Sequence, residues 1–471
     1  MSHTIAMLSV HTSPLDSPGR TKDAGGMNVY IRALALELGR YGHTVDIFTR
    51  QTNIHTPYIV QLAPHVRVIH IQAGPQTPVH KNNLLPYMPS FAASVAAFAR
   101  KELRTYDILH SHYWLSGIVA EHLARRWDIP HVTMFHTLAR LKQLAIQTAN
   151  AILTHSVHDA LHLGLRIPLC NELRSTQSAE QIGSFASDRM QGRLRSSSAQ
   201  AVSKEGLANP DEQESQQRLA MEQTLIQSVD CIIAATADER TQMMRYCGVS
   251  ASRIQVIPCG VDLELFVPYD RQLMRQRFGL DPQQPVLLFA GRLDPFKGPD
   301  ILLRAAALME QEAQIVIVGG ALTDDRDLQN LRTLAADLGI KQRTLFLGAQ
   351  PQDMLPLLYS AADVTVVPSY HESFGLVAVE SLACGTPVVA TRAGGLMTIV
   401  HNDENGYLVP RCPGFFAERL DAILHNPDIQ ARMHAAARPS VSKFSWEGVA
   451  LSVSEVYDNL VSEPIVAEML S

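Results

Sequence analysis

The chain lacks the marks of a membrane-inserted, secreted or nucleic-acid-binding protein. No apolar run approaches the roughly 18 residues that a membrane-spanning helix needs. The first ten residues, MSHTIAMLSV, contain neither a basic segment nor a long apolar one, so no secretory signal is expected. Lys and Arg number 40 against 46 Asp and Glu, and the net charge of −6 provides no positive field for polyanions. We therefore expect a cytoplasmic protein with no stable membrane insertion and no nucleic acid partner.

Cysteine is also scarce, with six residues and no CxxC pair, which favours reduced thiols over a disulfide framework or a zinc site. Aromatic residues make up only 6% of the chain, but 46% of its 471 residues are hydrophobic and 18% are charged. That composition is typical of a globular protein with sizeable cores, divided into about three domains or two large ones. No cluster of metal-ligand residues is evident in the sequence, so we expect neither a metal nor another cofactor.

Short apolar runs alternate with helical patterns along the first half of the chain. Residues 5–10 predict a buried strand, followed by a loop that reaches Gly26, a helix over 27–41 and a strand over 45–49. Further strands are predicted at 66–71, 108–111, 131–135, 230–235 and 254–258. The pattern indicates a parallel sheet with helices on both faces, in an N-terminal Rossmann-like domain over 1–265.

The same pattern restarts after residue 265. Strands are predicted at 286–290, 315–318, 344–347, 364–367 and 387–390, with a helix over 299–309. We interpret 266–440 as a second Rossmann-like domain, and 441–471 as a helical segment that packs back on the first. Two α/β domains of similar size predict a ligand site in the cleft between them.

Residues 143–206 interrupt this alternation and predict an insertion in the first domain. The segment is rich in serine, and its composition favours disorder over an ordered lid. His155, His158 and His162 share one face of a helical pattern near its start. We interpret them as residues of an exposed helix, because no carboxylate or cysteine completes a metal site.

A glycine-bounded loop in the second half carries two cations, Arg292 and Lys297, between a predicted strand and a predicted helix. Such a pair can converge on a diphosphate, since arginine offers a bidentate fork and lysine a point charge. The alternative is a solvated basic loop.

Two glutamates follow in the sequence SYHESFGLVAVE. Glu372 falls in a predicted loop and Glu380 in an apolar helix eight positions later. Eight helical residues rise roughly 12 Å, about the distance from a sugar ring to a nucleoside ribose. Each carboxylate can accept hydroxyl protons, and the helix N-terminus after Glu372 favours a phosphate. A charge in so apolar a helix is otherwise hard to explain.

Together these motifs resemble the retaining GT-B glycosyltransferases of the glycogen synthase and sucrose synthase type, family 4. The resemblance covers almost the whole chain except the insertion. It implies a hexosyltransferase that uses a nucleotide-sugar, with Arg292 and Lys297 on the diphosphate, Glu380 on the ribose and Glu372 on the sugar. It also implies donor contacts from Gly25, Gly26, Ser373, Phe374, Gly375 and Leu376. His136 ends a strand at the cleft, and we expect it to touch the donor sugar or diphosphate.

The first half resembles the branch of that family that transfers GlcNAc from UDP-GlcNAc to 1D-myo-inositol 3-phosphate in the mycothiol pathway. The segments that carry this resemblance are SVHTSPL, DAGGMNVY and HSHYWLSG. It implies an acceptor pocket formed by His11, Asn28, Lys81, Tyr113, Thr137 and Arg218. Their cations and hydroxyls suit a phosphorylated polyol. The alternative places Tyr113 in a core, Lys81 in a surface loop and Arg218 on a helix surface.

Two departures keep other substrates open. The insertion separates Thr137 from Arg218, and the KNNLLP segment that begins at Lys81 is equally compatible with sucrose-phosphate synthases, which use fructose 6-phosphate. A GT-B UDP-sugar 2-epimerase and a silent nucleotide-sugar-binding protein are further alternatives. An NAD-dependent oxidoreductase is disfavoured, because the Gly25-Gly26 loop lacks the GxGxxG fingerprint. We expect a retaining transferase of a UDP-sugar to a phosphorylated polyol or sugar, as a homodimer.

Overall fold

The computed structural model describes residues 1–16, 25–144, 216–321 and 325–462. These ranges fold into two α/β units, each built on a largely parallel sheet. Successive residues of the first strand alternate between two cores: Ile5 and Met7 belong to one, Ala6 and Leu8 to the other. The sheet is therefore buried on both faces, as its apolar runs predict. The expected α/β class with two Rossmann-like units is confirmed.

Eight strands form the first sheet, in the order β3-β4-β2-β1-β5-β6-β7-β8. They are β1 (Thr4–Leu8), β2 (Thr44–Arg50), β3 (Ile59–Ala63), β4 (Val66–Ile71), β5 (Ile108–His112), β6 (His131–Met134), β7 (Cys231–Ala234) and β8 (Ile254–Val256). All pairs are parallel except β3 with β4. The strands predicted in this half are confirmed, and the exposed edge strand β3 is an addition.

Helices cover this sheet. They include α1 (Gly26–Arg40), α2 (Met88–Lys101), α3 (Tyr113–Trp127), α4 (Gln216–Ser228) and α5 (Ala237–Cys247). Helix α1 forms where the chain leaves the glycine loop, and its buried face carries Tyr30, Ile31, Leu34 and Leu38 at helical spacing. Packing that face on the sheet fixes the amino end of α1 at the carboxyl ends of the strands, where a parallel sheet binds ligands.

The second sheet has the order β11-β10-β9-β12-β13-β14 and is entirely parallel. Its strands are β9 (Val286–Ala290), β10 (Gln314–Val318), β11 (Thr344–Gly348), β12 (Val364–Val367), β13 (Val388–Thr391) and β14 (Gly406–Val409). Leu287 and Phe289 face one core, while Leu288 faces another that is shared with the first unit. Every predicted strand of this half is confirmed, and β14 was not predicted.

The helices of the second unit lie on both sides of that sheet. They are α6 (Arg271–Arg277), α7 (Pro299–Leu308), α8 (Arg326–Asp337), α9 (Leu355–Ala361), α10 (Leu376–Ala383), α11 (Leu396–Ile399), α12 (Pro413–Leu424) and α13 (Pro427–Val441), followed by α14 (Trp446–Ser462). Helices α7 and α10 each follow a loop that carries predicted site residues.

Helix α14 returns to the first unit and packs against α1. The Tyr457 hydroxyl lies 2.6 Å from Nδ1 of His110 on β5, and the Asp458 carboxylate lies 2.7 Å from Nε2 of His3. The Trp446 ring meets the Tyr30 ring edge to face, with centroids 5.4 Å apart. The helix predicted near residues 446–457 is confirmed, whereas the domain boundaries at residues 265 and 440 stay predictions.

Most of the predicted insertion, from residue 145 onward, lies outside the described residues, as do His155, His158 and His162. Within the described ranges, no group of three or more His, Cys, Asp and Glu side chains is arranged to hold a metal ion. None of the helices in those ranges combines the length and apolar character needed to cross a bilayer. Five cysteines are described there, and all are buried.

Candidate active site

The predicted site residues lie at the carboxyl ends of the strands in both sheets. In the first sheet β1 lies between β2 and β5, and in the second β9 lies between β10 and β12. Loops on either side of these points run in opposite directions and leave a crevice. His11 follows β1 and Tyr113 follows β5, while Arg292 and Lys297 follow β9 and Glu372 follows β12.

The two loops of the second unit bring opposite charges together. Nζ of Lys297 lies 2.6 Å from Oε1 of Glu372, and the Ser369 hydroxyl donates to the same oxygen over 2.8 Å. Burial alone would raise the pKa of Glu372, but Lys297 and the hydrogen bonds outweigh it and hold the pKa below its ordinary value. Nε of Arg292 lies 3.2 Å from Asp294. Both cations are partly exposed, and each lies beside a carboxylate.

Glu380 lies inside helix α10, as predicted, and its side chain is buried. The Tyr359 hydroxyl donates to its Oε2 over 2.9 Å. Burial raises the pKa of Glu380 to about 7, although this hydrogen bond opposes the shift. The helix begins at Leu376, so the residues that directly follow Glu372 are not helical. The helical rise that the 12 Å estimate assumed over all eight residues therefore applies only from Leu376 onward.

Two helix N-termini meet across the cleft. Gly25 caps α1 and Gly375 caps α10, the latter with φ 109°. A Cβ atom on Gly26 would lie 2.9 Å from Cδ1 of Leu376, so the two helix ends are in close approach. The first amides of a helix have no intrahelical acceptor, and the helix dipole adds partial positive charge there. Their juxtaposition creates an environment suited to an anion.

A hydrogen bond joins the two units beside these helix ends. The Ser373 hydroxyl donates to the main-chain carbonyl of His136, which links the loop after β12 to the loop after β6. The neighbouring Phe374 side chain instead lies in the core, edge to face with Phe444 at 5.4 Å. Only the main chain of Phe374 is therefore in a position to face the cleft.

His136 belongs to a row of buried imidazoles that the sequence analysis did not identify. Its Nε2 lies 3.0 Å from Nδ1 of His112, whose ring is 4.4 Å from that of His110. Burial, reinforced by His11, lowers the pKa of His136 to about 3, so its ring is neutral at pH 7. His136 also adopts φ 56°, a conformation that non-glycine residues rarely take outside strained sites. The spacing of His110 and His112 in a predicted strand was a signal, since alternate residues share a face.

Four predicted acceptor residues lie together, although the insertion separates one of them from the others in sequence. Arg218 is buried, its Nη2 donates to the Thr137 carbonyl over 2.7 Å, and its guanidinium lies 4.8 Å from the Tyr113 ring centroid. Nε of Arg218 donates to Glu222 over 2.6 Å. The His11 ring is 4.5 Å from that of Tyr113. The alternative of a helix-surface arginine is wrong, and the i, i+4 spacing of Arg218 and Glu222 was an unused signal of their pairing.

Asn28 and Lys81 complete the predicted acceptor set. The Asn28 side chain is buried, accepts from the Thr12 hydroxyl over 3.0 Å and donates to the Ser13 carbonyl over 2.9 Å. It therefore shapes the loop after β1. Lys81 begins a short 3-10 helix, Lys81–Asn83, on the partly exposed segment before α2.

Comparison with known proteins agrees with this arrangement. The family model described as glycosyl transferase 4-like domain matches residues 25–260, and that described as glycosyl transferases group 1 matches 270–439. A protein of Xylanimonas cellulosilytica, named D-inositol 3-phosphate glycosyltransferase, is 38% identical over 96% of each chain. A protein of Acidothermus cellulolyticus with the same name is 36% identical, over 98% of this chain and 91% of that one.

Solved structures show the same two-unit fold. Sucrose-phosphate synthase from Thermosynechococcus elongatus superposes with a TM-score of 0.77 at 30% identity, covering 98% of this chain and 99% of that one. The Anabaena protein HepE, solved with UDP and glucose, superposes with a TM-score of 0.67 at 20% identity, over 97% and 100%. Fold and site thus define a GT-B glycosyltransferase. The chain belongs to the glycosyl transferase 4-like family, as its motifs predict.

Proposed function

We propose that the enzyme is a retaining glycosyltransferase that moves a sugar from a UDP-sugar, UDP-GlcNAc in the first instance, to 1D-myo-inositol 3-phosphate. The names of its curated relatives support the acceptor. The observation that carries the proposal is the contact between Arg218, Thr137 and Tyr113, because it places a buried cation beside two hydroxyl-bearing residues. A small phosphorylated polyol needs that combination of charge and donors.

The donor is proposed to occupy the second unit. Lys297 and Arg292 neutralise its diphosphate, which also lies near the facing helix ends at Gly26 and Leu376. Glu380 accepts from the ribose hydroxyls and Glu372 from the sugar. Gly25, Ser373, Phe374 and Gly375 line this site chiefly through the main chain and the Ser373 hydroxyl.

The acceptor is proposed to lie opposite, on the first unit. Arg218 and Lys81 bind its phosphate, and the hydroxyls of Tyr113 and Thr137 donate to the same group. His11, whose ring contacts Tyr113, and Asn28, which holds the loop after β1, complete the pocket.

The reaction is proposed to retain configuration. The acceptor oxygen bonds to the anomeric carbon on the face from which the diphosphate leaves, and the bond between that carbon and the phosphate oxygen breaks. The acceptor proton passes to the departing β-phosphate, whose charge Lys297 and Arg292 stabilise. His136, neutral at pH 7, donates one hydrogen bond to the donor and does not act as an acid. A β-linked product from an α-linked donor, seen by NMR, would contradict this pathway.

The test is a UDP-release assay in which UDP-GlcNAc and UDP-glucose are each paired with inositol 3-phosphate, with fructose 6-phosphate and with no acceptor. Release is expected only with inositol 3-phosphate, and faster with UDP-GlcNAc. Conversion of the UDP-sugar into its C2 epimer without an acceptor and without net UDP release would indicate a 2-epimerase instead. Binding without release would indicate a silent binding protein.

Transfer of glucose to fructose 6-phosphate is the second candidate. It is favoured by the superposition on a sucrose-phosphate synthase over 98% of this chain, and by the compatible segment at Lys81. Turnover with UDP-glucose and fructose 6-phosphate, exceeding that with inositol 3-phosphate, would establish it.

Three further properties belong to the proposal. The enzyme requires no metal or other cofactor, which undiminished activity in EDTA would support. It acts in the cytoplasm. It forms a homodimer, which sedimentation of the purified protein would test.

A further inference from the structure

The donor site depends on how two separate loops are held together. Residues 291–298 follow β9 and residues 368–375 follow β12, and their charges meet where Lys297 contacts Glu372 at 2.6 Å. One main-chain hydrogen bond links the loops, from the Tyr370 amide to the Phe296 carbonyl over 2.9 Å. A single main-chain bond constrains two irregular segments only weakly, so side-chain contacts contribute to their relative position.

Arg411, which follows β14, supplies that contact. Its Nε donates to the Pro368 carbonyl over 2.9 Å, and its Nη2 donates to the Pro295 carbonyl over 3.0 Å. One planar guanidinium therefore bridges both loops. Its acceptor in the first loop lies two positions before Lys297, and its acceptor in the second lies four positions before Glu372. The rigid fork of arginine suits this task, whereas a lysine ammonium is a point donor on a flexible stem.

Two further contacts fix the guanidinium. Its Cζ lies 3.5 Å from the centroid of the Tyr370 ring, in the loop after β12. A Cβ atom on Gly298 would lie 3.0 Å from Nη2 of Arg411 and 2.5 Å from the Pro368 carbonyl oxygen. Gly298 has φ 74° and caps α7. The guanidinium is thus packed directly against the start of the helix that follows Lys297.

The charge of Arg411 is unusual for a buried group. Its side chain is only 6% exposed, and across the described part of the chain its contacts are two carbonyls and a ring, none of them a carboxylate. A buried cation is costly without a compensating anion, and more so beside the positive end of a helix. A donor diphosphate at this helix end would provide the missing negative charge.

We propose that Arg411 is a positioning residue of the donor site. It holds the loop that bears Lys297 against the loop that bears Glu372, and it keeps positive charge behind the diphosphate. This inference rests on the proposed function, because it assumes that these loops bind a nucleotide-sugar.

The test compares Arg411→Met and Arg411→Lys with a matched control, Arg343→Met. Arg343 also bridges two main-chain segments of the second unit, donating to the Ala313 carbonyl over 2.7 Å and the Ala306 carbonyl over 2.9 Å. Those segments lie at the amino ends of the strands, away from both loops. Each variant is assayed for UDP affinity by calorimetry, for donor and acceptor KM, for kcat and for Tm.

Arg411→Met is expected to weaken UDP binding and to lower kcat/KM for the donor by roughly 10- to 100-fold, since small misplacements of charged groups have effects of that size. The acceptor KM should change by less than about twofold. The UDP affinity and donor kcat/KM of Arg411→Lys should lie between those of the parent enzyme and Arg411→Met, because a lysine retains the charge but does not bridge the two loops. Arg343→Met should lower Tm without changing UDP affinity.

Equal UDP affinity in Arg411→Met and the parent enzyme would overturn the inference, as would equal increases in donor and acceptor KM. If Arg411→Met does not fold, the same comparison in Arg411→Lys decides. Failure of the proposed function gives a different result. A parent enzyme that binds no UDP would refute the donor site itself. Normal UDP binding by both the parent enzyme and the variant would refute only the role of Arg411.

Discussion

Replacing Glu380 with glutamine is expected to remove a pH dependence from the stability of the second unit. Burial raises the pKa of Glu380 from 4.5 to about 7, against a weaker opposing effect of the Tyr359 hydroxyl. Between those values the folded chain holds a proton that the unfolded chain has released. By linkage, the stability contributed by this group is fully present below the unfolded pKa, falls as the pH rises, and levels off above the folded pKa.

The size of the effect follows from the separation of the two pKa values. At about 1.4 kcal/mol for each pH unit, the folded enzyme loses about 3 kcal/mol from Glu380 between its unfolded and folded pKa. For a unit of this size, each kcal/mol corresponds to roughly 2 to 4 °C. The Tm of the parent enzyme should therefore fall by roughly 6 to 12 °C relative to that of Glu380→Gln across this window.

The assay is scanning fluorimetry of both proteins without nucleotide, from about pH 5 to about pH 8. Glu372→Gln is the matched control, because its carboxylate has a lowered pKa and should lose its stabilising effect only under more acidic conditions. Its difference from the parent should stay constant across the range. Parallel curves for the parent and Glu380→Gln would refute the reasoning, because they are the result expected if Glu380 is already charged in the folded chain across this range.

Three shorter predictions concern the cleft. Lys81→Ala should raise the acceptor KM about tenfold while UDP affinity stays unchanged, and equal damage to both would place Lys81 outside the acceptor pocket. Gly298→Ala should lower Tm and weaken UDP binding by calorimetry, because φ is 74° and the new Cβ would lie 2.5 Å from the Pro368 carbonyl oxygen. Ser373→Ala should lower kcat/KM about fivefold by removing the hydrogen bond to His136, and unchanged kinetics would show that this link between the units is dispensable.

The sequence predicted the strands well where their apolar residues are buried on both faces, because such strands leave continuous runs. It missed β3, whose residues 59–63 lie partly exposed at the antiparallel edge of the first sheet. It also missed β14, a strand of only four residues that begins at Gly406. Both lie at a sheet edge, but for different reasons they leave little pattern: β3 is partly exposed, whereas β14 is buried but short and begins with a glycine.

The candidate site also contains residues that the sequence predicted and one that it missed. Lys297, Glu372 and Glu380 were predicted because charges stood out in glycine loops or an apolar helix. Arg411 left no such signal, since its acceptors are the carbonyls of Pro368 and Pro295, 43 and 116 positions away. Main-chain acceptors have no residue signature, so only the folded arrangement shows which arginine bridges the loops.

The net charge of −6 gives no hint of the cations that are proposed to bind the two substrates. The structure places them on different units: Arg218 donates to the Thr137 carbonyl on the first unit, and Lys297 pairs with Glu372 on the second. Because separate elements hold each cation, a substitution on one unit need not disturb the other. Donor binding and acceptor binding should therefore respond separately to substitution. The hydrogen bond between Ser373 and His136 joins the two units. Substitutions there are therefore expected to change the kinetics with both substrates together.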